Sequence, residues 1–191
     1  MEYKQMWDLE KMERKKDDPE VPAMTITKEL QDQHATLMFT DAAMDKKRSR
    51  GGLGITTKDH NGKLVKAWAI PTGMMKDAAI LEAEAIRSAM LKALEEGWTS
   101  LLIHSDCKGL VDRINHKCFG LSLLDVLVED IVHLRRSFWR CSFIFIGREY
   151  NRTNHDLAKF AINLIDETRW ELDFPVWLRT EAHKDVLAVC Q

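Results

Sequence analysis

Apolar and polar positions follow two rhythms along this chain, and the places where the rhythm changes mark its elements. Two short apolar runs end alike: LMFTD closes on Asp41 and LLIHSD closes on Asp106, each through a hydroxyl residue that precedes the aspartate. A run of about four to six apolar residues bounded by polar ones predicts a strand buried on both faces, as in α/β sheets, where ligands sit beyond the carboxyl ends of strands. The first such strand spans residues 35–41, and two more follow over 52–57 and 64–70. Asp59-His60-Asn61-Gly62 joins the last two, and Asn-Gly between apolar runs signals a hairpin because both residues tolerate positive φ. The chain therefore opens as an antiparallel meander.

After Pro71-Thr72-Gly73 the period lengthens to that of a helix over 78–96, stopped by Gly97. At about 100° per residue, Ile80, Ala83, Ile86, Met90 and Leu94 form an apolar face, and Glu82 and Glu84 fall on its two opposite borders. The wheel does not choose between them. The strand 101–106 comes next, then a short helix over 108–115 and a second long one over 123–138. Ser122 with Asp125 has the spacing of an N-cap and its reciprocal partner. A strand over 142–146 and a final helix over 154–165, with Leu157, Ala158, Ala161, Ile162 and Ile165 at helical spacing, complete the order βββαβααβα. That order predicts an α/β fold with three antiparallel strands feeding two parallel ones.

Composition narrows the picture. With 191 residues, 45% of them hydrophobic and 30% charged, the chain holds one α/β domain and tails. The divisions expected are a charged extension over 1–33, the domain over 34–170 and a C-terminal tail over 171–191. A net charge of -2 excludes a globally basic nucleic-acid binder but leaves room for a local patch. Lys46, Lys47, Arg48 and Arg50 make such a run between the first two strands, as a solvated turn or as a phosphate contact. Cys107, Cys118, Cys141 and Cys190 lack ligand spacing, which suits reduced thiols. No apolar run approaches membrane-spanning length, so a soluble intracellular protein of nucleus or cytoplasm is expected, without a membrane partner.

The two aspartates carry the candidate chemistry. If their strands are parallel neighbours the carboxylates converge, and two close anions need a positive charge between them, for which a divalent metal is the usual answer. Each aspartate taken singly is also an ordinary turn or cap residue.

FTDAA around Asp41, AEA centred on Glu84, SDCKGLV around Asp106 and REYNRTNHDLAKFA from Arg148, in this order, resemble the ribonuclease H family. The similarity is to the ribonuclease H-like domain of plant non-LTR retroelement reverse transcriptases, over roughly residues 36–161. FPVWLRTEAHKD from Phe174 looks like the tail that follows those domains. The resemblance implies a metal-dependent endonuclease that cuts the RNA strand of RNA/DNA hybrids, a monomer or part of a longer reverse transcriptase polyprotein. Two Mg²⁺ ions, with Mn²⁺ as a substitute, would be held by Asp41, Glu84 and Asp106, with Asp41 bridging both. Glu84 is taken over Glu82 because the AEA frame matches the family. His155 occupies the position of a fourth carboxylate in well-known members, and Asp156 is one residue out of register. The loop Gly147-Arg148-Glu149-Tyr150 lacks the histidine that many members carry there. Lys108 and Arg148 are the implied phosphate contacts. The alternative reading is a nucleic-acid-binding module of the same fold with weak or no turnover.

Overall fold

Six strands form one mixed sheet in the order β5-β4-β1-β2-β3-β6. The computed structural model describes residues 35–73, 77–116 and 120–189, with side chains as far as Asp185. The extension expected over 1–33 lies outside these residues. The strands are β1 (Thr36–Asp45), β2 (Arg50–Lys58), β3 (Leu64–Thr72), β4 (Ser100–Ser105), β5 (Arg140–Phe145) and β6 (Thr168–Trp170). The helices are α1 (Ala78–Glu95), α2 (Lys108–His116), α3 (Leu123–Leu134), α4 (Arg152–Ala161) and α5 (Val176–Val189). β1, β2, β3 and β6 pair antiparallel in turn, and β4 lies parallel between β1 and β5. Among the described residues no helix is long and apolar enough to cross a membrane.

Local chemistry explains several of these elements. Gly62 takes φ 77° in the hairpin turn, where the Asp59 carboxylate accepts the N–H groups of Asn61 and Lys63. Ser122 and Asp125 form the reciprocal cap expected of them at the start of α3. The sheet has six strands rather than five, because the short edge strand β6 adds to β3 through Ala67–Ala69. The helix expected over 123–138 ends at Leu134 and tightens into a 3₁₀ turn, Arg135–Ser137. The last helix of the domain runs from Arg152 to Ala161, not to Ile165, which is 86% exposed.

One face of the sheet packs on α1 and α3 around Met38, Ile103, Ile86, Met90, Val128 and Ile131, all buried. Full burial of each such side chain is worth about 1.5–3 kcal/mol. The other face lies against α4, and two glycines of β2 set the contact. A Cβ at Gly52 would come 2.7 Å from the Ile162 nitrogen, and one at Gly54 would come 2.7 Å from the Ala158 nitrogen. Both are backbone atoms that cannot swing aside, so α4 rests on bare strand. Residues expected to be tail form α5, which packs Leu178 and Ala182 against Leu157 and Ala161 of α4.

Candidate metal centre

Parallel pairing of β1 with β4 ends at Thr40 opposite Ser105, so the aspartates that follow emerge side by side where the two strands part. β1 itself runs on past the expected end at Asp41 to Asp45, paired there with β2 alone. Asp41 is 3% exposed, and its Oδ1 accepts the Ala42 N–H at 2.8 Å. The third acid comes from α1. One carboxylate oxygen from each of Asp41, Glu82 and Asp106 lies within 4.8 Å of the others.

The helix acid in this cluster is Glu82, where the resemblance had favoured Glu84. Helical geometry gives the reason. The buried residues of α1 are Leu81, Ala83, Ala85, Ile86, Ala89, Met90 and Ala93. At about 100° per residue these span an arc with Glu82 near its middle, while Glu84 points about 160° away. An apolar face drawn mainly through the larger side chains is displaced by about a quarter-turn, because the alanines that fit closest to the sheet carry little weight in it.

Electrostatics mark the cluster as short of positive charge. Burial and then the nearby Asp41 charge push Glu82 up to about 9, and one of its carboxylate oxygens is buried without a hydrogen-bond partner among the described residues. Asp41 is likewise raised, by burial and by Asp106. Three converging hard oxygen donors, of which Asp41 and Glu82 are raised toward protonation, are a fit for a divalent cation such as Mg²⁺ or Mn²⁺.

α4 and the turn before it supply the other side of the site. His155 Nδ1 lies 2.9 Å from Asp41 Oδ2, and Arg148 Nη2 lies 3.3 Å from His155 Nε2. A guanidinium can only donate, so Nε2 accepts, and the proton sits on Nδ1, which donates to Asp41. Asn151 donates to the Thr40 carbonyl at 2.9 Å and to Asp106 Oδ1 at 3.4 Å. Asn154 in turn donates to Asn151 Oδ1 at 2.8 Å. Asp156 faces away and lies 3.7 Å from Lys159 on the surface. Lys108 is exposed at the start of α2, two residues beyond Asp106. The sequence assigns Asn151 no role beyond its place in the run REYNRTNHDLAKFA. The signal was its polar side chain immediately ahead of an apolar helix, which reads equally as a cap.

Residues 39–161 match the family described as reverse transcriptase-like. No curated protein matches the chain. Among solved structures, ribonuclease H1 of the halophilic archaeon Halobacterium salinarum is similar with a TM-score of 0.62 at 16% identity, over 68% of this chain and 98% of that one. LC11 ribonuclease H1, isolated from compost and solved with an RNA/DNA hybrid, gives 0.61 at 18% identity over 67% and 96%. The foamy viral protease-reverse transcriptase, also solved with an RNA/DNA hybrid, gives 0.58 at 15% identity; 85% of this chain corresponds to 26% of that one.

Proposed function

Since the chain belongs to the reverse transcriptase-like family of ribonuclease H-like domains, we propose that it is a metal-dependent endonuclease that cleaves the RNA strand of RNA/DNA hybrids. The observation that carries this reading is the convergence of Asp41, Glu82 and Asp106 within 4.8 Å where the parallel pairing of β1 and β4 ends. These three residues would hold the divalent ions, which would supply activation of the attacking water and stabilisation of the leaving 3′ oxygen in an in-line displacement at phosphorus.

The chain's own groups do the rest. His155 donates to Asp41 and fixes the orientation of that carboxylate, and Arg148 fixes the tautomer of His155. Asn151 ties Asp106 to the β1 backbone, which keeps the two aspartates in register. Arg148 and Lys108 meet substrate phosphates, Arg148 with the donors its His155 contact leaves over. Hybrid choice rests on groove shape and contacts to 2′-hydroxyls.

A second reading, a hybrid-binding module without turnover, is favoured by one feature. His155 brings an imidazole to Asp41 where a fourth carboxylate would add charge for a second ion. A labelled hybrid and a DNA duplex of the same sequence, incubated with Mg²⁺ or Mn²⁺, decide between them. Cutting confined to the RNA strand supports the nuclease, binding without cutting supports the module, and equal cutting of duplex DNA rejects both.

A further inference from the structure

Far from the carboxylate cluster in sequence, α5 sends one acidic side chain into the interior. Asp185 is 4% exposed, and its Oδ2 lies 2.8 Å from the ammonium of Lys58, itself 4% exposed at the end of β2. The same oxygen accepts the hydroxyl of Thr153 and, at 3.3 Å, the Thr153 backbone N–H. Lys58 is held over the Phe39 ring, 4.7 Å from its centroid. Asp185 Oδ1 has no partner among the described residues, so one oxygen gathers all three bonds.

Thr153 is the second residue of α4, and the residue that precedes this helix, Asn151, makes no side-chain cap. The first turn of a helix leaves backbone N–H groups without partners, and a carboxylate there satisfies them and complements the helix dipole. Here that carboxylate comes from another helix. The turn it secures carries Asn151, two residues before Thr153, and His155, two residues after it, which are the α4-side contacts to Asp106 and Asp41. We propose that Asp185 is a positioning residue: from the C-terminal helix it caps α4 and thereby holds Asn151 and His155 over the acidic cluster.

Two consequences follow. α5 is part of the site's scaffold rather than an appendage, and a chain cut before Val176 loses the cap. Lys58 neutralises the buried carboxylate without touching the cluster, because a lone buried anion would not survive desolvation. The inference rests on the reading of the cluster as catalytic only for its kinetic readout; the geometric readout is independent of it.

The test uses the full chain with Lys58→Met and Asp185→Leu combined, which replaces the buried ion pair by apolar groups and so preserves folding while the cap is lost. Thr153→Val, which removes only the hydroxyl, and Thr153→Ser, which restores it, are made alongside. The ring ¹⁵N signals of His155, assigned by their disappearance in His155→Gln, report its tautomer. In the wild type they show a protonated Nδ1 and a bare Nε2. In the double variant and in Thr153→Val the two tautomers mix, kcat for the hybrid falls about tenfold or more with KM unchanged, and Thr153→Ser restores both. Should the double variant not fold, Thr153→Val and Thr153→Ser carry the decision alone. An unchanged His155 signature in the folded variants overturns the proposal. A wild type that cuts no hybrid, together with a shifted His155 signature in the variants, rejects the nuclease reading and upholds the positioning role.

Discussion

Replacing Glu82 by Gln, with Glu84→Gln as its control, tests the centre through stability before any cleavage is measured. In the ion-free fold the Glu82 carboxyl is pushed from 4.5 up to about 9, first by burial and then by Asp41. Between those values the folded protein keeps a proton that the unfolded chain has released, so stability falls as pH rises through this window. At about 1.36 kcal/mol per pH unit, the ion-free fold has lost about 3 kcal/mol at pH 7 relative to acid conditions. Glutamine has the same shape and no charge at any pH. Glu82→Gln is therefore expected to melt higher than the wild type in EDTA at pH 7, by roughly 6–12 °C for a chain of this size. The gain vanishes near pH 4.5. Divalent ions reverse the order, because they stabilise the wild type by mass action and act weakly on the variant. Thermal melts in EDTA and in MgCl₂ across that pH range read all of this. If Glu82→Gln melts no higher than the wild type in EDTA at pH 7, or if Glu84→Gln reproduces its behaviour, the assignment of Glu82 to the cluster is wrong.

Other expectations follow from the same geometry. Asp41→Asn and Asp106→Asn each lose hybrid cleavage by orders of magnitude in a gel assay and stay folded, because each relieves repulsion while it removes an ion ligand. His155→Asp raises Mg²⁺-supported cleavage and lowers the ion-free melting temperature, since it adds a fourth carboxylate beside Asp41; Asp156→Asn, on the surface with Lys159, changes neither. Ser122→Ala lowers stability by about 1 kcal/mol in a denaturant titration, through loss of the α3 cap. Burial pushes the Cys141 thiol up to about 12, so this cysteine reacts with a thiol reagent near neutral pH only after unfolding, as peptide mapping of the labelled protein would show.

Much of this architecture is legible in the chain because it is written locally. The apolar runs ending at Asp41 and Asp106, the Asn61-Gly62 turn and the Ser122–Asp125 cap each involve residues within a few positions of one another. β6 left no such mark: Thr168, Arg169 and Trp170 are strand only because β3 offers them an edge. The choice of Glu82 was within reach, since counting Ala85, Ala89 and Ala93 as packing residues moves the buried arc onto it. Asp185 was not, for its partners Lys58 and Thr153 lie 127 and 32 residues away and no periodicity links them.

The two glycines of β2 give the height of α4 over the sheet an unusual origin, since it is set by atoms that are missing. Most helices ride on a sheet at a height chosen by the side chains between them, whereas α4 touches bare backbone at Gly52 and Gly54 and sits as low as the chain allows. A methyl group added there would act as a shim. Under Gly54 it lifts the end of the helix that bears Asn151 and His155; under Gly52 it lifts the far end. The height of the helix that carries Asn151 and His155 is thus levelled at two points, set in this chain to the lowest position at both.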